Sequence, residues 1–339
     1  MYLSSFRAQI QICKMLQKNW TTITEFIIVG FPGLHPDYYG LVAAIFFIVY
    51  TTTVAGNTVF LVLFVTSRSL RKPMYIILAS LAISDMCFST VALPKIISRY
   101  WFDAGVTPFH ACFFQMELIH YFGTLNSLIM MIMALDRYVA ICYSLRYQAV
   151  MTNRITYILN ITAWVTAFIA PTVATLHTQQ LPYCGPKLII QCYCDHISIT
   201  NLACADNSKQ ILVALCVALL VLLLPLAFII YSYSHIIMSL MRLSSSQSRW
   251  KSFATCSTQL CIIALFYVPR CAVYIASFLQ IQISKDFRIV LILLYSLVPP
   301  LINPFIYCLR THEIRIIVSR WLSRQRAMRE TSRINVITL

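Results

Sequence analysis

The residues of this 339-residue chain that could do chemistry stand in unusual surroundings. Asp85, Glu117, His120, Asp136, Arg137 and Arg270 all lie within or at the end of long apolar runs. Ionisable groups in hydrocarbon are costly, so each reads as functional by default. Arg270 carries the most information. It cannot shed its proton, so it needs a partner, and three stay open: Glu117, a displaced backbone carbonyl, or an acidic ligand. Snorkelling to the outer surface is a fourth outlet. A catalytic reading fails for want of a site. The chain holds no H-E-x-x-H, no G-x-S-x-G and no glycine-rich phosphate loop, and only 7 glycines. Zinc is poorly supported as well: His196 stands near Cys192 and Cys194, but paired C-x-x-C units are missing.

Those side chains have to be positioned by something, and composition says what. The chain is 59% hydrophobic and 11% charged, with mean hydropathy +0.75. Soluble domains carry about 25% charged residues, so this one could not cover a water-facing surface. Seven uncharged or nearly uncharged runs stand out, at residues 38–67, 73–94, 109–135, 155–176, 210–241, 252–284 and 289–309. Each reaches the roughly 17–25 residues that a spanning helix needs. Sustained period-two alternation is absent, which argues against a β-barrel. The expected fold is an all-α, seven-span membrane bundle with a short amphipathic helix after span seven. It divides into an outer tail (1–37), a seven-span membrane domain (38–309) and an inner tail (310–339).

The net charge of +15 suggests nucleic acid until the charges are placed. With the N-terminus outside, the inner group is Arg68, Arg71, Lys72, Arg137, Arg146, Arg154, Arg242, Arg249, Lys251 and seven arginines from Arg310 to Arg333. Only Asp136, Glu313 and Glu330 oppose them. This asymmetry is what the positive-inside rule requires. The basic surface therefore faces the anionic lipid bilayer rather than nucleic acid. Asn19-Trp20-Thr21 is a glycosylation sequon on the outer tail, whereas Asn160-Ile161-Thr162 lies within a span and should be silent. No cleavable signal pattern precedes span one, which is expected to serve as its own insertion signal. Met15 is an alternative start. Five of the 13 cysteines fall on the oxidising side: Cys112 at the outer end of span three, and Cys184, Cys192, Cys194 and Cys204 in the loop before span five. Cys87, Cys142, Cys216, Cys256, Cys261, Cys271 and Cys308 read as small apolar packers.

Local phrases then narrow the class. Gly56-Asn57 lies in span one, Leu81-Ala82-Ile83-Ser84-Asp85 in span two and Trp164 in span four. Span three ends Met133-Ala134-Leu135-Asp136-Arg137-Tyr138-Val139-Ala140-Ile141-Cys142, and span seven ends Pro300-Leu301-Ile302-Asn303-Pro304-Phe305-Ile306-Tyr307. In this order, over about residues 25–320, they resemble rhodopsin-like G-protein-coupled receptors. Ser232-Tyr233, Lys251-x-x-x-Thr255-Cys256 and the loop wording around Cys184, Cys194 and Cys204 resemble the odorant receptors within that class. Phe31-Pro32-Gly33-Leu34 and Ala134-Leu135 resemble their fish-like (class I) branch, which favours water-soluble ligands.

The resemblance implies a disulfide Cys112–Cys194, a second pair Cys184–Cys204, and Cys192 left over. It implies a polar cluster of Asp85, Asn57 and Asn303, joined by Ser127, able to hold water or a sodium ion. It implies that Asp136 restrains Arg137 at rest, with Tyr138, Tyr233, Pro304 and Tyr307 in the switch that engages a heterotrimeric stimulatory G protein and raises cyclic AMP. The pocket for a small odorant is expected between spans three, five, six and seven, with Glu117, His120, Tyr267, Arg270 and Tyr274 as candidate contacts. The expected location is the plasma membrane, in the cilia of olfactory sensory neurons, and no cofactor is expected. One departure stands out: the family's histidine near the inner end of span six is Gln259 here. No lysine lies between Leu293 and Val298, as an opsin would need, and no aspartate lies near Ile119, as an aminergic receptor would need. The rivals are a lipid or peptide receptor of the same superfamily and, with no internal repeat visible, a transporter.

Overall fold

The computed structural model describes residues 23–183, 187–204, 208–242, 246–279, 281, 283–310, 314–317 and 319. Asn19, Cys184, Met15 and most of the inner tail lie outside these residues. Among the described residues, seven helices are long and apolar enough to cross a membrane. They are α1 (Tyr39–Thr66), α2 (Pro73–Phe102), α3 (Phe109–Cys142), the pair α5 (Asn153–Thr166) and α6 (Ile169–Gln179) forming span four, α8 (Ser208–Met241), α9 (Ser246–Phe278) and α10 (Lys285–Arg310). Two short helices, α4 (Tyr147–Val150) and α7 (His196–Thr200), lie on the inner and outer sides respectively. Residues 314–317 and 319 are helical, which is all that is described of the helix expected after span seven.

Local chemistry accounts for the ends. Pro73 opens α2 at its first turn, where its missing N–H costs nothing. Asp103 closes it in the left-handed conformation, φ 52°, with its carboxylate paired to Arg99 one turn back. Thr152 caps α5 by accepting from the Ile155 N–H at 3.3 Å. Span four breaks where the sequence predicts one helix. Pro171 cannot donate to the carbonyl of Ala167 and its ring clashes there, so the chain restarts at Ile169. Spans two and three run longer than expected, to Phe102 and Cys142: Pro94 sits within α2 without ending it, and α3 continues helical past Asp136 and Arg137.

Spans two and three form the centre: 72% and 67% of their most apolar windows are buried, against 22% in spans one and five. The exposed apolar faces of spans one, four and five are those a bilayer would cover.

The architecture is not wholly helical. β1 (Glu25–Ile28) pairs antiparallel with β2 (Val106–Pro108), Ile27 opposite Val106, and parallel with β3 (Leu188–Ile189), Ile27 opposite Leu188. The outer tail is thus stitched between two outer loops. Beneath it, Phe26 meets Phe109, Phe113 and Tyr183 with ring centroids 5.6–6.4 Å apart. This apolar cap also covers Cys112 and Cys194.

Candidate functional site

The outer half holds a cavity of about 330 Å³. Its wall on spans four and five is apolar: Ala170, Pro171, Ala174, Leu215, Ala218 and Val221. The opposite wall is charged, formed by Arg270 and Tyr274 of span six and Arg288 in the first turn of span seven. His120 and Thr124 of span three line it too, and Asp195, His196, Thr200 and Asn201 form the roof. The Cys112–Cys194 disulfide, Cα atoms 5.4 Å apart, holds that roof against span three. Asp195 caps α7, accepting from the Ser198 N–H at 3.4 Å. His196 is buried, its Nε2 2.7 Å from the Thr178 hydroxyl, and burial holds its imidazole below the usual histidine range.

Arg270 is 9% exposed. Its Nη1 donates to the Gly123 carbonyl at 3.3 Å, and its guanidinium lies 5.3 Å and 5.7 Å from the Phe266 and Tyr295 ring centroids. Its Nε has no partner; neither do Nε and Nη2 of Arg288 nor Nε2 of His120. Of the partners left open by the sequence, a backbone carbonyl is the one Arg270 touches. Glu117 accepts instead from the Thr172 hydroxyl at 2.8 Å, towards span four.

A narrower void of about 50 Å³ runs inward from Arg270 and Arg288, past Tyr295 and Ser296, to Asp85 and Asn303. Asp85 is 1% exposed. Asn126 donates to its Oδ1 at 3.1 Å and Asn303 to its Oδ2 at 2.8 Å, while Ser84 donates to the Asn126 amide oxygen at 2.6 Å. Asn57 donates to the carbonyls of Thr53, 2.9 Å, and Pro300, 3.2 Å, tying span one to span seven. The amide oxygens of Asn57 and Asn303 have no partner.

At the inner end Arg137 pairs with the neighbouring Asp136, Nη2 to Oδ2 3.2 Å. Tyr147 of α4 donates to the other carboxylate oxygen at 2.7 Å. The Tyr138 ring sits 6.3 Å from Tyr231 and 6.0 Å from His235. Tyr307 lies 5.8 Å from Phe60.

A family model described as olfactory receptor matches residues 46–325. The chain belongs to the olfactory receptor family. Its relatives include mouse "Olfactory receptor 1E16", 35% identical over 301 residues, 89% of this chain and 95% of that one. Human "Olfactory receptor 52H1" is 36% identical over 292 residues, 86% of this chain and 92% of that one. Squid rhodopsin shares the fold with TM-score 0.69 at 18% identity, covering 89% of this chain and 91% of that chain. This olfactory receptor is therefore a multi-pass, non-enzymatic receptor of the G-protein-coupled class, whose family takes small-molecule ligands and G-protein partners.

Within this olfactory receptor, three of the five expected ligand contacts line the cavity: His120, Arg270 and Tyr274. Glu117 and Tyr267 do not line it. Glu117 precedes His120 by three residues, which at 3.6 residues per turn rotates it by about 60°, far enough to face Thr172. Tyr267 lies a turn deeper than Arg270, bound to Ser127 at 2.6 Å beside an apolar groove between spans five and six. Ser127 is thereby taken from the Asp85 cluster, and Asn126 stands in its place. Asn126, Tyr147, Asp195 and Arg288 escaped the sequence reading. For Asn126 the signal was present, an amide side chain within an apolar run, whereas Arg288 stands just before the run that begins at Ile289. Cys204 is disulfide-bonded, and its N–H donates to Pro182 at 2.9 Å beside the Tyr183–Ala203 bridge; Cys184 itself is outside the described residues.

Proposed function

We propose that this protein is an odorant receptor for a small, acidic, water-soluble ligand, bound in the outer cavity and coupled through a stimulatory G protein to cyclic AMP. The observation that carries the reading is Arg270: a buried, permanently charged guanidinium on the cavity wall, bonded to the Gly123 carbonyl and to Tyr274, with its Nε unpaired. A carboxylate would meet that fork with two parallel charge-assisted hydrogen bonds. The inner void from this wall to Asp85 supports a route by which occupancy alters the span-seven Asn303-Pro304 segment. A ligand shifts the resting and active states only by its differential affinity for them. In the resting state Asp136 restrains Arg137, and activation frees that arginine for the G protein, with Tyr138, Tyr233 and Tyr307 rearranging around it. The oxygen-rich surroundings of Asp85, including the unpaired amide oxygen of Asn303, suit an alkali cation such as sodium. Cys184 pairs with Cys204, Asn19 carries a glycan, and the receptor works in the ciliary plasma membrane of olfactory neurons. The Phe31-Pro32-Gly33-Leu34 segment supports the fish-like class I branch.

The test is a panel of acids and matched neutral odorants read by cyclic AMP, in cells with equalised surface expression. Arg137→Ala should silence every agonist. Arg270→Ala should cost acids about tenfold or more in potency, roughly 1.4 kcal/mol, and Arg270→Lys should restore only part. Unchanged acid potency in Arg270→Ala would overturn the ligand assignment.

A further inference from the structure

The geometry points to Arg288 as a second anchor for the same ligand, so that the cavity selects a monocarboxylate held head-first between spans six and seven with its hydrocarbon tail against spans four and five. This rests on the acidic-ligand reading above and deepens it. Arg288 enters from span seven and Arg270 from span six, and both line the outer cavity and the narrow void below it. Asp195 lines both spaces with them. Arg288 keeps Nε and Nη2 buried without partners, and Arg270 keeps Nε. Three donor nitrogens without partners on two permanent cations are costly to bury unless an acceptor arrives.

Charge decides the stoichiometry. The charged groups on the cavity wall are Arg270 and Arg288 against Asp195; the remaining titratable side chains there are the imidazoles of His120 and His196 and the Tyr274 phenol. The wall is one negative charge short of balance. A single carboxylate supplies it, whereas a dicarboxylate overshoots and a neutral alcohol leaves both guanidiniums short. The apolar wall of Pro171, Leu215, Ala218 and Val221 lies opposite and fits an alkyl tail. A volume of about 330 Å³ limits the length of that tail.

The experiment measures cyclic AMP potency of short- to medium-chain saturated monocarboxylates, matched primary alcohols and α,ω-dicarboxylates on full-length receptor at matched surface expression. Arg288→Ala is expected to cost monocarboxylates about tenfold or more while alcohol potencies hold, with Arg288→Lys restoring part. Asp195→Asn keeps a good helix cap but removes the standing counter-ion, so it should shift the preference towards dicarboxylates. Oleate presented in phosphatidylcholine vesicles tests the bilayer as a source and should be inactive, because its tail exceeds the cavity; activity there would overturn the size limit. If Arg270→Ala loses acid potency and Arg288→Ala does not, the second anchor is wrong and the acidic-ligand reading stands. If no acid activates the wild type while neutral odorants do, both fail together. If Arg288→Ala does not reach the surface, Asp195→Asn decides, and an unchanged mono- to dicarboxylate ratio overturns the proposal.

Discussion

Asp136 is 1% exposed and held from two sides, by Arg137 and by the Tyr147 hydroxyl. Removing the hydroxyl leaves a buried carboxylate oxygen unpaired, at a cost of about 1–3 kcal/mol to the arrangement that contains it. In the proposed switch that arrangement is the resting one, so Tyr147→Phe should raise ligand-free cyclic AMP by up to about tenfold while agonist potencies stay ordered as before. A variant with wild-type basal signal would show that Tyr147 only braces the inner loop. Cys192 offers a second check. Burial pushes its thiol up to about 12, and thiolate is the reactive form. It should therefore resist maleimide in the folded receptor and react on unfolding; labelling of the native protein would contradict the geometry.

The disulfide belongs to the next scale, because it joins a helix to a lid. Cys112 and Cys194 anchor Asp195 and His196 over the cavity. Losing a native disulfide typically costs about 2–5 kcal/mol, so Cys112→Ser or Cys194→Ser should cut surface expression sharply. The double variant should be no worse than either single one, since both remove the same bond; flow cytometry reads the outcome. The elements were unevenly legible in the sequence. Apolar runs announce spans, so Pro73 and Phe109 were found as helix starts to the residue. The break at Ala167 was missed because hydropathy does not see Pro171 remove a single hydrogen bond. The strands were missed for a different reason: two to four residues are too short to show alternation, and their pairing is non-local. The contact of Glu117 with Thr172 was not legible, because spacing along span three gives its face only to within a turn and the contact depends on how span four packs. Arg270 was legible as a residue in need of a partner, but nothing in its own span says that Gly123 supplies one.

At the scale of the molecule, the seven spans followed from solvent physics alone, while the partners across the bundle required their packing. The lid also sets a pH dependence. Burial lowers the His196 pKa in the folded receptor, so below the ordinary histidine value of about 6.5 the unfolded chain binds more protons than the folded one. Stability is then fully present above that value and falls as pH drops through it. Purified receptor should lose thermal stability between about pH 7 and pH 5, and His196→Gln should flatten that slope; an equal slope in both proteins would assign the effect elsewhere.

The three-stranded sheet also implies a timetable. β1 leaves the ribosome first, yet its parallel neighbour is Leu188–Ile189. The roughly 160 residues between them take about 8–30 s to synthesise at 5–20 residues per second. Through that interval spans one to four enter the bilayer while Phe26 and Ile28 wait in the lumen without the cover they have in the finished fold. The strand that comes first in the sequence is thus among the last to dock, and an antibody against residues 23–30 should recognise immature chains and lose its epitope as the receptor matures.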